Sequence, residues 1–279
     1  MKKNRDKIDI AVLGPSGTFS HMAANEIFCQ EKEFRFTPTI EQVFEKVDSD
    51  GAEFGVVPIE NYTSGLILET LDCILEYDLK IIGSYKLKIN HNLLASTEDI
   101  GKIKKIKSHP QILSQCRRWL SENFPDIEPE PQSSSTRGIS ENPRDESIAF
   151  IGSKKNAKKY GLKILAESIE DRSGNTTEFY VLAKDPADNL GGKLEPSKTL
   201  LLVSIKDKPG ILRDILTVFA DRDLNLTKLH SRALDLNEKK GWDYYFFLEV
   251  DCLQENDDFR VAIEKLEGLC SMIKVFGVS

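Results

Sequence analysis

An α/β fold of two lobes followed by a smaller βαββαβ module is predicted by three features of this 279-residue chain. Short apolar strands alternate with amphipathic helices through the first two thirds. A charged stretch with two prolines and two glycines, KDPADNLGGKLEPSK at 184–198, then interrupts the pattern. Behind it the element order changes to strand, helix, strand, strand, helix, strand.

The elements follow in order. Ile8–Leu13 is an apolar run and reads as a strand; GPSGTFS behind it opens a helix with Phe19, Met22, Ala23 and Ile27 on one face. Residues 39–49 place Val43, Phe44 and Val47 at helical spacing. Phe54–Val57 reads as a short strand and Leu66–Tyr77 as a helix. SHPQILSQCRRWL at 108–120 is a helix with Ser108 as its cap and Pro110 in its first turn. Its apolar face holds Ile112, Leu113, Trp119, Leu120 and Cys116, so Cys116 is a core thiol, and Arg117 and Arg118 are solvated. Ile148–Gly152 and Leu162–Ala166 are short buried strands, and Phe179–Ala183 closes the series. Residues 1–183 thus form the first domain, 184–198 a linker and 199–279 the second domain. In the last, Thr199–Ile205, Leu224–Asp235, Tyr244–Asp251 and Met272–Val278 are strands; Pro209–Asp221 and Asp257–Glu267 are helices; 237–241 is a turn.

Composition narrows the function. Thirty-eight basic against 45 acidic residues give a net charge of −7, with no general attraction to nucleic acid or anionic membranes. Five scattered cysteines without C-x-x-C imply reduced thiols in a cytoplasm, and four histidines show no zinc spacing. No apolar run is long enough to span a bilayer. No metal and no cofactor are expected.

Four segments carry the candidate chemistry. In GPSGTFSHMAA, Thr18 or Ser20 caps a helix, and the free amides there suit either a plain turn or a carboxylate. VPIENYTSG puts Glu60 and Asn61 beyond a strand's carboxyl end, where ligands lie in open α/β sheets; turn chemistry explains them equally. His109 and Gln111 lie at a helix start. GNTTEF at 174–179 offers an amide and two hydroxyls, as a turn or as donors for a ligand.

In this order, GPSGTFSHMAA, VPIEN, SHPQILSQCRRWL, Ser135-Thr136, FIGSKKNAKKYGLKIL and N-x-T-x-F at 175–179 resemble the prephenate dehydratase family. KDKPGILRDIL and NLTKLHSR resemble the ACT domain that follows it there. The resemblance implies a periplasmic-binding-protein-like catalytic domain of two lobes and a ferredoxin-like module that binds phenylalanine and mediates assembly into a homodimer or homotetramer. It implies conversion of prephenate, a dianion, to phenylpyruvate without a cofactor. By matched motif, Thr177 is the catalytic proton donor or its orienter, and Thr18, Ser20, Glu60, Asn61, His109, Gln111, Thr136, Asn175 and Phe179 border the substrate; Arg137, at a changed position of the same segment, is expected there too. The effector segments are Gly210-Ile211-Leu212 and His230-Ser231-Arg232.

Departures from the family pattern carry their own expectations. Glu178 stands where the family has Arg, Arg137 where it has Ala, and Tyr62-Thr63-Ser64-Gly65 where it has S-x-E-G. A rebuilt charge pattern puts Arg137 within reach of Glu178 or pointing into the cleft; drift leaves Glu178 in solvent. Ile211 and the 230–233 turn depart from the family's phenylalanine pocket. A prephenate decarboxylase-like enzyme that does not aromatise the ring, and a non-catalytic ligand sensor, are the rival readings.

Overall fold

The computed structural model describes residues 7–29, 31–132, 135–185, 194, 198–205, 208–234 and 243–278. Most of the expected linker at 184–198 and all of the turn at 237–241 lie outside the described residues. The chain divides into two compact units, one built on Met1–Tyr77 and Tyr85–Phe179, the other on Asp78–Ser84, Tyr180–Leu190 and Leu194–Ser279.

The first unit holds two lobes. In order the chain forms β1 (Ile8–Leu13), α1 (Phe19–Ile27), β2 (Lys32–Thr37), α2 (Ile40–Asp48), β3 (Phe54–Asn61), β4 (Gly65–Leu66), α3 (Leu68–Glu76) and β5 (Lys80–Lys88), of which the residues from Tyr85 on belong to this unit. The second lobe follows as β6 (Asn92–Ala95), β7 (Lys105–Ser108), α4 (Pro110–Gln115), α5 (Arg117–Asn123), β8 (Glu130–Pro131), α6 (Ser135–Glu141), β9 (Ile148–Gly152), α7 (Lys154–Tyr160) and β10 (Lys163–Ala166). Strand β11 (Thr176–Ala183) returns to the first lobe beside β3.

In the first lobe β1 pairs in parallel with both β2 and β3, and β4 folds back antiparallel on β3. Ile10, Ala11, Val12, Val56 and Val57 are fully buried, as expected of parallel strands covered on both faces. The second lobe is a mixed sheet in the order β10-β6-β9-β7-β8. Leu93, Ile106, Cys116 and Ile151 form a core on one of its faces; Leu94, Ile139, Phe150 and Ala157 form one on the other.

The second unit contains β12 (Thr199–Ile205), α8 (Ile211–Ala220), β13 (Leu226–Leu234), β14 (Asp243–Val250), α9 (Asp257–Glu267) and β15 (Cys270–Val278). The strands order as β13-β14-β12-β15, all antiparallel. Ile215, Phe219, Phe259 and Leu266 from the helices pack on Leu201, Val203 and Leu248 of the sheet. This is the expected ferredoxin-like module.

Several local expectations need correction. β3 runs on to Asn61 instead of stopping at Val57, and Leu66 belongs to β4, so α3 begins only at Leu68. Residues 108–120 form two helices, not one. Asp171 is the cause: its amide takes the carbonyl of Gln115, and its carboxylate caps the amides of Arg118 and Trp119 at 3.0 and 3.1 Å. The cap of the first helix is His109, whose Nδ1 accepts from the Gln111 amide; Ser108 instead donates to the Ile151 carbonyl inside the sheet. β10 is only half-buried, with Lys163 and Ile164 exposed at the sheet edge. Cys116 is fully buried as expected, and burial pushes its thiol pKa far up.

Candidate active site

The two lobes enclose a cavity of about 270 Å³. From the first lobe it is lined by Leu13, Gly14, Thr18, Phe19, Ser20, Pro58, Asn61, Ile67, Asn175, Thr177 and Phe179. Ile89 and His91 lie where the chain passes between the lobes, and His109, Gln111, Ile112 and Gln115 come from the second. The polar lining consists of neutral donors and acceptors; it contains no Lys, Arg, Asp or Glu among the described residues. Strand geometry builds this set. The loop after β1 delivers the start of α1, the end of β3 delivers Asn61, and β11 delivers Thr177 and Phe179 two residues apart on one face.

Thr18 caps α1 with its oxygen on the His21 amide at 3.3 Å and donates its own proton to the Leu13 carbonyl at 3.0 Å. Phe19 and Ser20 follow in the first turn. Their amides have no carbonyl one turn earlier, and the helix dipole adds a partial positive charge of about half a unit there. A carboxylate is therefore accommodated without a cationic side chain.

Asn61 fixes the hydrogen-bond directions at the centre. Its Oδ1 accepts the amides of Thr63 and Ser64 at 3.1 and 3.2 Å, so that atom is the oxygen. Its Nδ2 then donates to Thr177 Oγ1 at 2.8 Å and to Asn175 Oδ1 at 2.9 Å. Because Thr177 Oγ1 receives this bond, its own proton is left to donate. Asn61, Thr177 and Asn175 are 7%, 8% and 1% exposed, so the direction is held in a nearly dry setting.

Three histidines are kept neutral. His21, His91 and His109 all have pKa values below the ordinary 6.5, in each case first because burial disfavours the charge; Lys159, Lys155 and Lys32 add to this at His21. As pH falls below about 6.5, the unfolded chain takes up protons that the folded one refuses, so the folded state loses stability. The urea midpoint is expected to hold steady between about pH 8 and 7 and to fall between about 6.5 and 5. A midpoint that stays flat across that lower window would contradict the assignment.

The sequence candidates divide clearly. Thr18, Ser20, Asn61, His109, Gln111, Asn175, Thr177 and Phe179 all line the cavity. Glu60 does not; it pairs with Leu66 in the β3–β4 turn, one residue out of phase with Asn61. Thr136 lies in α6, with its side chain outside the described residues. Arg137 lines an adjoining hollow that shares Gly14 with this cavity and also holds Phe36, Lys159 and Tyr160, and its guanidinium bonds Glu141 at 3.0 Å. Glu178 sits between Thr177 and Phe179 on β11, so alternation turns it to the opposite face. It is 7% exposed, and its carboxylate lies 4.0 Å from Lys86. The buried Glu178 does not match the drift expectation, and Arg137 borders the space between the lobes, one of the two forms of the rebuilt expectation. Sequence reasoning missed His91, Gln115 and Thr63. Gln115 Nε2 donates to Thr63 Oγ1, and its Oε1 lies 2.8 Å from His91 Nε2, which ties the lobes together across 52 and 24 residues of sequence.

A neutral, donor-rich cavity between two α/β lobes, on a chain that continues into a ferredoxin-like module, defines a cleft for a small organic acid. Comparison with known proteins supplies the family. The prephenate dehydratase family model matches residues 10–187, and the ACT domain model matches residues 199–268. The chain is 36% identical over 271 residues to the bifunctional chorismate mutase/prephenate dehydratase of Aquifex aeolicus, covering 97% of this chain and 73% of that one. It is 34% identical over 270 residues to the prephenate dehydratase of Methanocaldococcus jannaschii, covering 94% of each. The structure of prephenate dehydratase from Arthrobacter aurescens in complex with L-Phe matches with a TM-score of 0.85 at 27% identity, over 97% of this chain and 89% of that one. The chain belongs to the prephenate dehydratase family.

Proposed function

We propose that this protein is a cytoplasmic prephenate dehydratase, converting prephenate to phenylpyruvate, carbon dioxide and water in phenylalanine biosynthesis. The reaction breaks the bond between the ring and its carboxylate, moves that electron pair into the ring, and expels the ring hydroxyl at the opposite carbon. With one proton taken up, the dianion gives phenylpyruvate as a monoanion, carbon dioxide and water. Aromatisation supplies the driving force. The enzyme has to hold two carboxylates, place a donor on the departing oxygen and exclude water.

The observation that carries this reading is the direction of the Asn61–Thr177 bond. It leaves the Thr177 proton available as a donor inside a cavity without carboxylates. The start of α1 supplies amides for one carboxylate, and His109 supplies a further donor: its Nδ1 accepts from Gln111, so a neutral ring carries its proton on Nε2. Incubation with prephenate is the test. Phenylpyruvate is the expected product. A non-aromatic decarboxylated product would favour the decarboxylase-like rival, and unchanged prephenate the ligand sensor.

The same reading assigns the ACT module to a small-molecule effector, and assembly as a homodimer or homotetramer. Gly210 stands in the left-handed region at φ 85, and Ile211 is buried in the module's core. His230 and Arg232 are half-buried on β13, the edge strand of the module, while Ser231 is exposed. Ile211 stands where the family pattern has the smaller Ala, and on that ground phenylalanine is expected to give no calorimetric signal in the micromolar range. A micromolar heat with a change in oligomeric state would show that the pocket accepts these residues.

A further inference from the structure

His91 stands just before β6, is 1% exposed, and lines the cavity. Its protonation state can be read from its neighbours. The Thr63 hydroxyl donates to Asn61 Oδ1 at 2.7 Å, an atom already identified as oxygen by the two amides it accepts. Thr63 Oγ1 must then accept from Gln115, which identifies the Gln115 nitrogen and turns its Oε1 towards His91. His91 Nε2 therefore carries the proton of the neutral ring, and Nδ1 carries the lone pair. Nδ1 is buried and has no hydrogen-bond partner among the described residues. A buried acceptor left unpaired is costly, and since His91 belongs to the cavity lining, a ligand's donor would relieve it.

We propose that His91 Nδ1 accepts the proton of the substrate's ring hydroxyl and so selects and orients that group. The inference rests on the dehydratase reading and deepens it. Prephenate as a dianion carries two carboxylates and a ketone, all of them acceptors. The ring hydroxyl is its single donor. A lone pair repels the first three groups and matches only the fourth. Thr177 donates to the oxygen of the same hydroxyl, so one contact takes its proton and the other its lone pair. The His91 contact does not strengthen as the oxygen departs with growing negative charge. Its effect therefore falls on substrate binding, not on the chemical step. Phenylpyruvate has no ring hydroxyl, so the product cannot make this contact.

Two substitutions separate the proposed role from a structural one. His91→Gln keeps an amide nitrogen where Nε2 stood, preserving the bond to Gln115, and removes the acceptor at the δ position. His91→Asn does the reverse. His91→Gln is expected to raise KM for prephenate about tenfold, with kcat nearly unchanged and inhibition by phenylpyruvate unchanged. His91→Asn is expected to stay closer to the wild-type KM. A wild-type KM in His91→Gln would overturn the proposal, as would equal losses for prephenate and phenylpyruvate. Should His91→Asn fail to fold, the two His91→Gln readouts still decide. If the wild-type protein leaves prephenate unchanged, the dehydratase reading fails on its own. The His91 inference is then read from calorimetric affinities for prephenate and phenylpyruvate, with the same selective loss expected.

Discussion

Thr177→Val is expected to lower kcat for prephenate by about a hundredfold to ten-thousandfold, with the thermal unfolding midpoint little changed. Valine keeps the β-branched shape that suits β11 and removes only the hydroxyl. The hydroxyl oxygen accepts from Asn61 and the proton is left to donate, so the substitution deletes the donor aimed at the leaving group. Asn61 retains Asn175 as a partner, which limits the structural cost. Thr177→Ser should recover much of the rate, because it keeps the donor and loses one methyl. Turnover by Thr177→Val within a few-fold of wild type would remove Thr177 from the chemistry and return attention to His109, whose Nε2 proton is the next neutral donor in the lining.

Legibility in the sequence followed the range of the interactions. Thr18 as a helix cap was readable because its partner is three residues away. Asn61 reads in the sequence as either ligand contact or turn chemistry; its oxygen closes a turn on Thr63 and Ser64, and its nitrogen reaches Thr177 Oγ1 in the cavity lining. The face taken by Glu178 follows from strand alternation. Starting that strand at Phe179, three residues late, hid the fact that Thr177 and Glu178 already alternate within it. His91 and Gln115 left no local mark, since their bond joins separate elements and only the fold sets their orientation. The break in the 108–120 helix was equally hidden, because Asp171, which causes it, lies 53 residues from the amide it caps at Arg118.

The direction of these hydrogen bonds matters most at Asn61. Asn61→Asp changes one atom while the side-chain shape is conserved. The oxygen that accepts from Thr63 and Ser64 can stay where it is, so the turn is preserved. The nitrogen 2.8 Å from Thr177 Oγ1 becomes an oxygen that can only accept. Thr177 must then turn its proton towards residue 61, and the donor faces away from the substrate. The new oxygen also confronts Asn175 Oδ1, which lies 2.9 Å from the present nitrogen, so the Asn175 amide has to flip to satisfy it. Finally, a negative charge enters a cavity whose lining has none, facing a dianionic substrate in a site that screens it poorly. All three effects have the same sign. The expected loss in kcat/KM is about a thousandfold or more, with KM raised as well as kcat lowered. Asn61→Ala separates the contributions: it removes the bond to Thr177 without adding charge, frees Thr177 to donate in either direction, and should retain more activity than Asn61→Asp. Were Asn61→Ala the more damaged of the two in kcat, the direction of the Thr177 proton would not control the reaction, and the role of Asn61 would reduce to holding the turn at residues 61–64.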